Sequence, residues 1–144
     1  MHSRILIILL ALLHIMTSPK SFAADGQKSN DQRVRDYVTA FNEQNIDSML
    51  SMVADDIQWL SVVGDKITVE TQGKPQLRKS MAAYFKSTKS KSELEWVQTT
   101  ASRVAALERV SWQDKSGKKS QASLSVYEFR GGLISRVYYY PVEK

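Results

Sequence analysis

From Glu93 to the end of the chain the apolar residues recur at every second position, whereas before Glu93 most recur at every third or fourth. This order limits the possible folds more than composition does. Leu94 to Ser102, Val104 to Gln113, Gln121 to Arg130 and Ile134 to Val142 read as long strands, with turns at Lys115-Ser116-Gly117 and Gly131-Gly132. Upstream, Val34, Tyr37, Val38 and Phe41 fall at helical spacing behind Ser29 or Asn30 as N-cap, which predicts a helix to about Asn42. Ile46, Met49, Leu50 and Val53 repeat the pattern behind Asn45. The period turns strand-like at Ile57, with Ile57, Trp59 and Ser61 on one face, and a turn at Gly64-Asp65 leads to a short strand from Lys66 to Thr71. Gly73-Lys74-Pro75 opens a third helix, whose stripe is Leu77, Met81, Tyr84 and Phe85, and the Lys and Ser segment Ser87 to Ser92 ends it.

Helices first and long strands afterwards predict an α+β domain: a cone-shaped, curved antiparallel sheet covered on one face by three N-terminal helices. A cone of this kind encloses a cavity.

The N-terminus carries a different signal. Met-His-Ser-Arg precedes an almost unbroken apolar run from Ile5 to Met16, and Ser21-Phe22-Ala23-Ala24 supplies small residues around a cut after Ala23. This is the pattern of a secretory signal peptide. The run is too short to cross a bilayer, which takes roughly 20 apolar residues, so no stable membrane insertion is expected. The expected organisation is a leader over residues 1–23, a flexible tether over 24–29 and one folded domain over 30–144, periplasmic or secreted.

Cleavage would remove both histidines, His2 and His14, and the chain has no cysteine. Without imidazole or thiol, Ser-His-Asp and Cys-His nucleophiles, disulfides and soft metal sites are excluded, and neither a metal nor a cofactor is implied. Carboxylates, Tyr, Lys and Arg remain for chemistry. Eighteen Lys and Arg would stand against fifteen Asp and Glu, a net charge near +3, too mild to imply nucleic acid. The basic residues Lys74, Arg78, Lys79, Lys86, Lys89 and Lys91 read as a solvated face.

The runs Tyr-Val-Thr-Ala-Phe-Asn-Glu-Gln-Asn-Ile-Asp-Ser-Met-Leu-Ser-Met-Val-Ala-Asp-Asp-Ile (37–57), Gln-Gly-Lys-Pro-Gln-Leu-Arg-Lys-Ser-Met-Ala-Ala-Tyr-Phe (72–85) and Ser-Val-Tyr-Glu-Phe-Arg-Gly-Gly-Leu-Ile-Ser-Arg-Val-Tyr-Tyr-Tyr-Pro (125–141) resemble the nuclear transport factor 2-like superfamily. That superfamily includes SnoaL-like polyketide cyclases, ketosteroid isomerases and limonene epoxide hydrolases. The resemblance covers nearly all of the chain after the leader and implies the fold more strongly than any activity. Matched to the isomerases, Tyr37 falls on the oxyanion-hole tyrosine, Ser61 on the general-base aspartate and Ser125 on the protonated aspartate. Both carboxylates are replaced, and a serine hydroxyl is too weak a base to take a carbon-bound proton unaided. The histidine of the cyclases and the Asp-Arg-Asp set of the hydrolases also have no counterpart at the inward positions.

The strand from Val104 alternates so that Val104, Ala106, Glu108, Val110 and Trp112 share the more apolar face, which predicts Glu108 as an inward carboxylate. In the next strand Ser123, Ser125, Tyr127 and Phe129 share one face while Ala122, Leu124, Val126 and Glu128 share the other. With the hydroxyl face inward, the aliphatic face calls for a partner subunit, and a homodimer is expected. Trp59, Tyr84 and Trp112 suit a pocket for a flat or apolar small molecule, with Tyr37, Ser61, Glu108, Ser125 and Tyr127 as polar contacts. Three readings stay open: a binding protein without a recognisable catalytic set, an isomerase, lyase or hydrolase using Glu108 as acid or base with Tyr37 as donor, and a non-catalytic dimeric accessory module.

Overall fold

The structure is a computed structural model that describes residues 28–141. The expected leader and cleavage position, most of the expected tether, and residues 142–144 lie outside the described residues. In chain order the elements are α1 (Asn30–Asn42), α2 (Ile46–Ser51), β1 (Val53–Val63), β2 (Lys66–Gln72), α3 (Lys74–Ser87), β3 (Ser90–Thr99), β4 (Arg103–Asp114), β5 (Gly117–Arg130) and β6 (Leu133–Pro141).

The expected α1 stripe packs inward, with Val34, Tyr37, Val38 and Ala40 buried. Ser29 holds the N-cap position, but its side chain makes no capping bond. Asn45 does cap α2, its Oδ1 accepting from the Ser48 N–H at 3.0 Å. This helix is shorter than expected: Met49 and Leu50 fill its buried side, and Val53 leaves it to open β1, fully buried and in register with Ile134. β1 thus starts before Ile57, where the alternation becomes visible, because a pairing with the far end of the chain claims this β-branched residue. Gly73 turns β2 into α3 with φ at +81°, a conformation open to glycine, while its N–H donates to the Ile57 carbonyl at 2.7 Å.

The strands form one sheet in the order β2-β1-β6-β5-β4-β3. Every junction is antiparallel except β1 with β6, which run parallel through Trp59↔Val137, Leu60↔Tyr138 and Ser61↔Tyr139. The expected all-antiparallel pairing is corrected at this one junction. β6 enters between β1 and β5 rather than adding to an edge, and its direction is set by the hairpin from β5. β3 also departs from expectation: it begins at Ser90 rather than Leu94 and ends at Thr99 rather than Ser102.

The three helices lie against one face of the sheet, α1 on β3 and β4, and α3 on β1 and β2. Between helices and sheet sits the core, including Val34, Met49, Ile57, Leu77, Val104 and Val137. The other face carries an in-register row, Trp96↔Leu107↔Leu124↔Tyr140, running across four strands. Trp96, Leu124 and Tyr140 of this row are 50%, 40% and 38% exposed. Ion pairs flank it, Arg109 with Glu95 on one side and Arg103 with Glu128 on the other.

Candidate functional site

The alternation in β4 places Val104, Ala106 and Glu108 under the helices, with Glu108 only 5% exposed. A lone carboxylate there would cost several kcal/mol, so its hydrogen bonds decide whether the arrangement is stable. Three hydroxyls supply them. Ser92 of β3 donates to Oε1, while on β5 Ser125 donates to Oε2 at 3.1 Å and Tyr127 donates to the same oxygen at 2.9 Å. The donors come from the two strands flanking β4, and the registers Ser92↔Val110, Glu108↔Ser123 and Ala106↔Ser125 put them beside the carboxylate.

Above this cluster opens a cavity of about 430 Å³. Tyr37, Val38 and Phe41 of α1, Met81 and Tyr84 of α3, and Trp59 of β1 form one part of its lining. Glu108, Val110, Trp112, Gln121, Ser123, Tyr127 and Tyr139 form the sheet side, and Thr88 lies at the end of α3. The rings pack on one another: Tyr37 meets Tyr127 edge-on at 6.5 Å between centroids, and Trp59 tilts against Tyr139 at 6.3 Å.

Two donors in this lining have no partner. The Tyr37 hydroxyl and the Trp59 Nε1–H are both shielded from solvent, and neither makes a hydrogen bond among the described residues. Buried donors of this kind are rare in folded proteins because each forfeits its bond to water. Burial first, and then the charge of Glu108, push the hydroxyls of Tyr37, Tyr127 and Tyr139 well above the ordinary tyrosine range, so all three stay protonated. The cavity therefore offers neutral donors and aromatic faces, while the buried Glu108 carboxylate has hydroxyl donors on both oxygens.

Of the residues singled out from sequence, Tyr37, Trp59, Tyr84, Glu108, Trp112 and Tyr127 come together around this cavity. Ser125 does not line it: fully buried, it lies behind the wall and holds Glu108. Ser61 stands beside Tyr139 in register but is only part-buried and outside the lining. Sequence reading missed Ser92 and did not single out Tyr139 from its tyrosine neighbours. The signal for Ser92 was present in Lys89-Ser90-Lys91-Ser92-Glu93-Leu94, whose serines and leucine alternate with charges as an edge strand does. Among the described residues no group of three His, Cys, Asp or Glu side chains is placed to hold a metal ion.

Comparison with known proteins places this geometry. No curated protein matches the sequence. Among solved structures, a cystatin-fold protein from Novosphingobium aromaticivorans is 27% identical, with a TM-score of 0.67 over 78% of this chain and 97% of that one. Bal32a, from a soil-derived mobile gene cassette, is 17% identical with a TM-score of 0.68 over 79% of this chain and 89% of its own. An NTF2-like protein from Cytophaga hutchinsonii is 15% identical with a TM-score of 0.64 over 82% and 94%. The SnoaL-like domain family matches residues 34–137, which takes in most of the helices and sheet and every residue of the cavity lining except Tyr139. The chain belongs to the SnoaL-like domain family, within the nuclear transport factor 2-like superfamily.

Proposed function

We propose that this protein is an exported, dimeric binding protein whose cavity takes a small, partly apolar molecule presenting acceptor oxygens to Tyr37 and Trp59. The observation that carries the reading is the pair of buried donors without acceptors, set in an aromatic cavity large enough for a small ligand. A bound carbonyl, ether or hydroxyl oxygen would supply what both donors lack. Neutral acceptors fit better than anionic ones at this depth, because the Glu108 carboxylate shares the lining.

The enzyme reading needs Glu108 to accept a proton from a substrate. Three hydroxyls already donate to its oxygens, which favours a positioning role for it. Glu108→Gln separates the two roles. A binding protein keeps its affinity within roughly tenfold, about 1.4 kcal/mol. An enzyme loses about 10² to 10⁴ in turnover while still binding.

The dimer reading rests on the exposed apolar row through Leu107 and Leu124, and the export reading on the leader sequence. Native mass spectrometry of protein purified from its own compartment tests the whole proposal. The expected spectrum shows a dimer beginning at Ala24 that carries a small organic molecule lost in Tyr37→Phe. A protein that retains Met1, or one that never carries a molecule, contradicts it.

A further inference from the structure

The cavity has a charged mouth that its interior does not share. Thr88, Trp112 and Gln121 mark the mouth, since Gln121 is both exposed and part of the lining. Lys119 lies on the same face of β5 as Gln121 and Ser123, in register with Trp112, one step further out. Lys86 and Lys89 flank Thr88, and Lys115 belongs to the adjoining turn between β4 and β5. All four are exposed, and none makes an ion pair among the described residues.

Elsewhere most basic residues are matched, Lys66 and Lys79 being without an ion pair among the described residues. Lys74 pairs with Asp55, Arg78 with Asp47, Arg103 with Glu128, Arg109 with Glu95 and Arg130 with Asp56. Lys91, on the other face of β3, donates to the Asn42 carbonyl. Neither Met81 to Ser92 nor Lys115 to Tyr127 contains an acidic residue, and the nearby Asp114, which accepts from the N–H and hydroxyl of Ser116, offsets one of these charges. Cationic charge is thus concentrated where a ligand enters, and a low-dielectric cleft focuses such a field.

We infer that the ligand is an amphipathic anion, its apolar body in the aromatic cavity and its carboxylate, sulfonate or phosphate at the lysine mouth. The inference rests on the cavity-binding reading and adds the charge and orientation of the ligand. Glu108 repels an anionic group from the deep end, the lysines attract it at the mouth, and Tyr37 and Trp59 take a neutral acceptor below. An ammonium-bearing amphiphile would be turned away at the mouth.

The test compares two probes of the same ring and length, 2-naphthylacetate and 2-naphthylacetamide, titrated against tryptophan fluorescence at pH 7. The expected result is an affinity at least about tenfold higher for the carboxylate in low salt, falling toward parity near 0.5 M salt as screening sets in. Lys86→Gln with Lys119→Gln should remove most of that preference and leave the acetamide affinity unchanged. Lys66→Gln with Lys79→Gln, remote from the mouth, should change neither. Equal affinity for both probes in the unaltered protein overturns the anion inference and leaves cavity binding standing. Binding of neither probe overturns both readings. A carboxylate preference that survives the mouth substitutions, or adsorption to phosphatidylglycerol vesicles that the probes do not compete with, also overturns it.

Discussion

The side chain of Asn42, the last residue of α1, brackets the backbone of Ser92 on the edge strand β3. Its Oδ1 accepts the Ser92 N–H at 2.7 Å and its Nδ2 donates to the Ser92 carbonyl at 2.8 Å. A carboxamide thereby does what a neighbouring strand would do, at an edge that otherwise offers unpaired backbone groups. The same residue, Ser92, turns its hydroxyl inward to Glu108. Helix position and carboxylate position are coupled through one side chain. Asn42→Ala should cost about 1–3 kcal/mol, since it leaves two part-buried backbone groups without partners. Urea unfolding with an unchanged slope checks it, and a midpoint equal to that of the unaltered protein contradicts the coupling.

The two tyrosines that meet edge-on should respond oppositely to losing a hydroxyl. Tyr127→Phe removes a donor from a buried carboxylate and should destabilise the ligand-free protein by about 1.5–3 kcal/mol. Tyr37→Phe removes a buried hydroxyl that bonds to nothing, so stability should hold or rise slightly. Any loss in Tyr37→Phe should be in ligand affinity. Thermal melts of the two variants side by side decide this, and equal destabilisation would show that Tyr37 has a partner after all.

Alkaline pH should unfold the protein through its buried tyrosines. Burial and the Glu108 charge raise Tyr37, Tyr127 and Tyr139, whereas unfolded tyrosines titrate near pH 10. Above that pH the unfolded chain holds fewer protons than the native one, so stability falls as pH rises. It is fully present below about pH 10 and declines above by about 1.4 kcal/mol per pH unit for each such tyrosine. Absorbance at 295 nm and far-ultraviolet circular dichroism should therefore change together for these three. Ionisation of every tyrosine with the dichroism intact contradicts their burial.

Leu124→Asp tests the dimer. Leu124 lies midway along the apolar row of the outer sheet face, between Leu107 and Tyr140 in register. An unpaired charge buried there should cost on the order of 3 kcal/mol of association. Sedimentation velocity should show the variant as monomer and the unaltered protein as dimer. An unaltered protein that sediments as a monomer at micromolar concentration removes the basis for this interface.

Local pattern carried much of the fold because parity is a local property. The alternation of β4 and β5 sent Glu108, Ser125 and Tyr127 inward from sequence alone, and the stripe of α1 placed Tyr37 with them. Val53 shows where local pattern stops: it suits the fourth position of a helical stripe and the first of a strand equally well. Its pairing with Ile134, far along the chain, settled the matter. The parallel β1–β6 junction was hidden for the same reason. The lack of partners at Tyr37 and Trp59 depends on which side chains approach from other elements, and no spacing along the sequence records that.

The central position of β6 sets the order in which the domain can assemble. Until that strand is in place the sheet exists as two pieces, β2 with β1 and β5 with β4 and β3, and the edges that will receive it stay open. The pairing that joins them closes a loop spanning most of the domain, which carries a large entropic cost before any contact rewards it. Folding should accordingly be slow, at the millisecond-to-second end for small domains, and should complete only after the last strand has been synthesised. A nascent chain held open in this way is a substrate for chaperones, and its two waiting strand edges are where misassembly would begin.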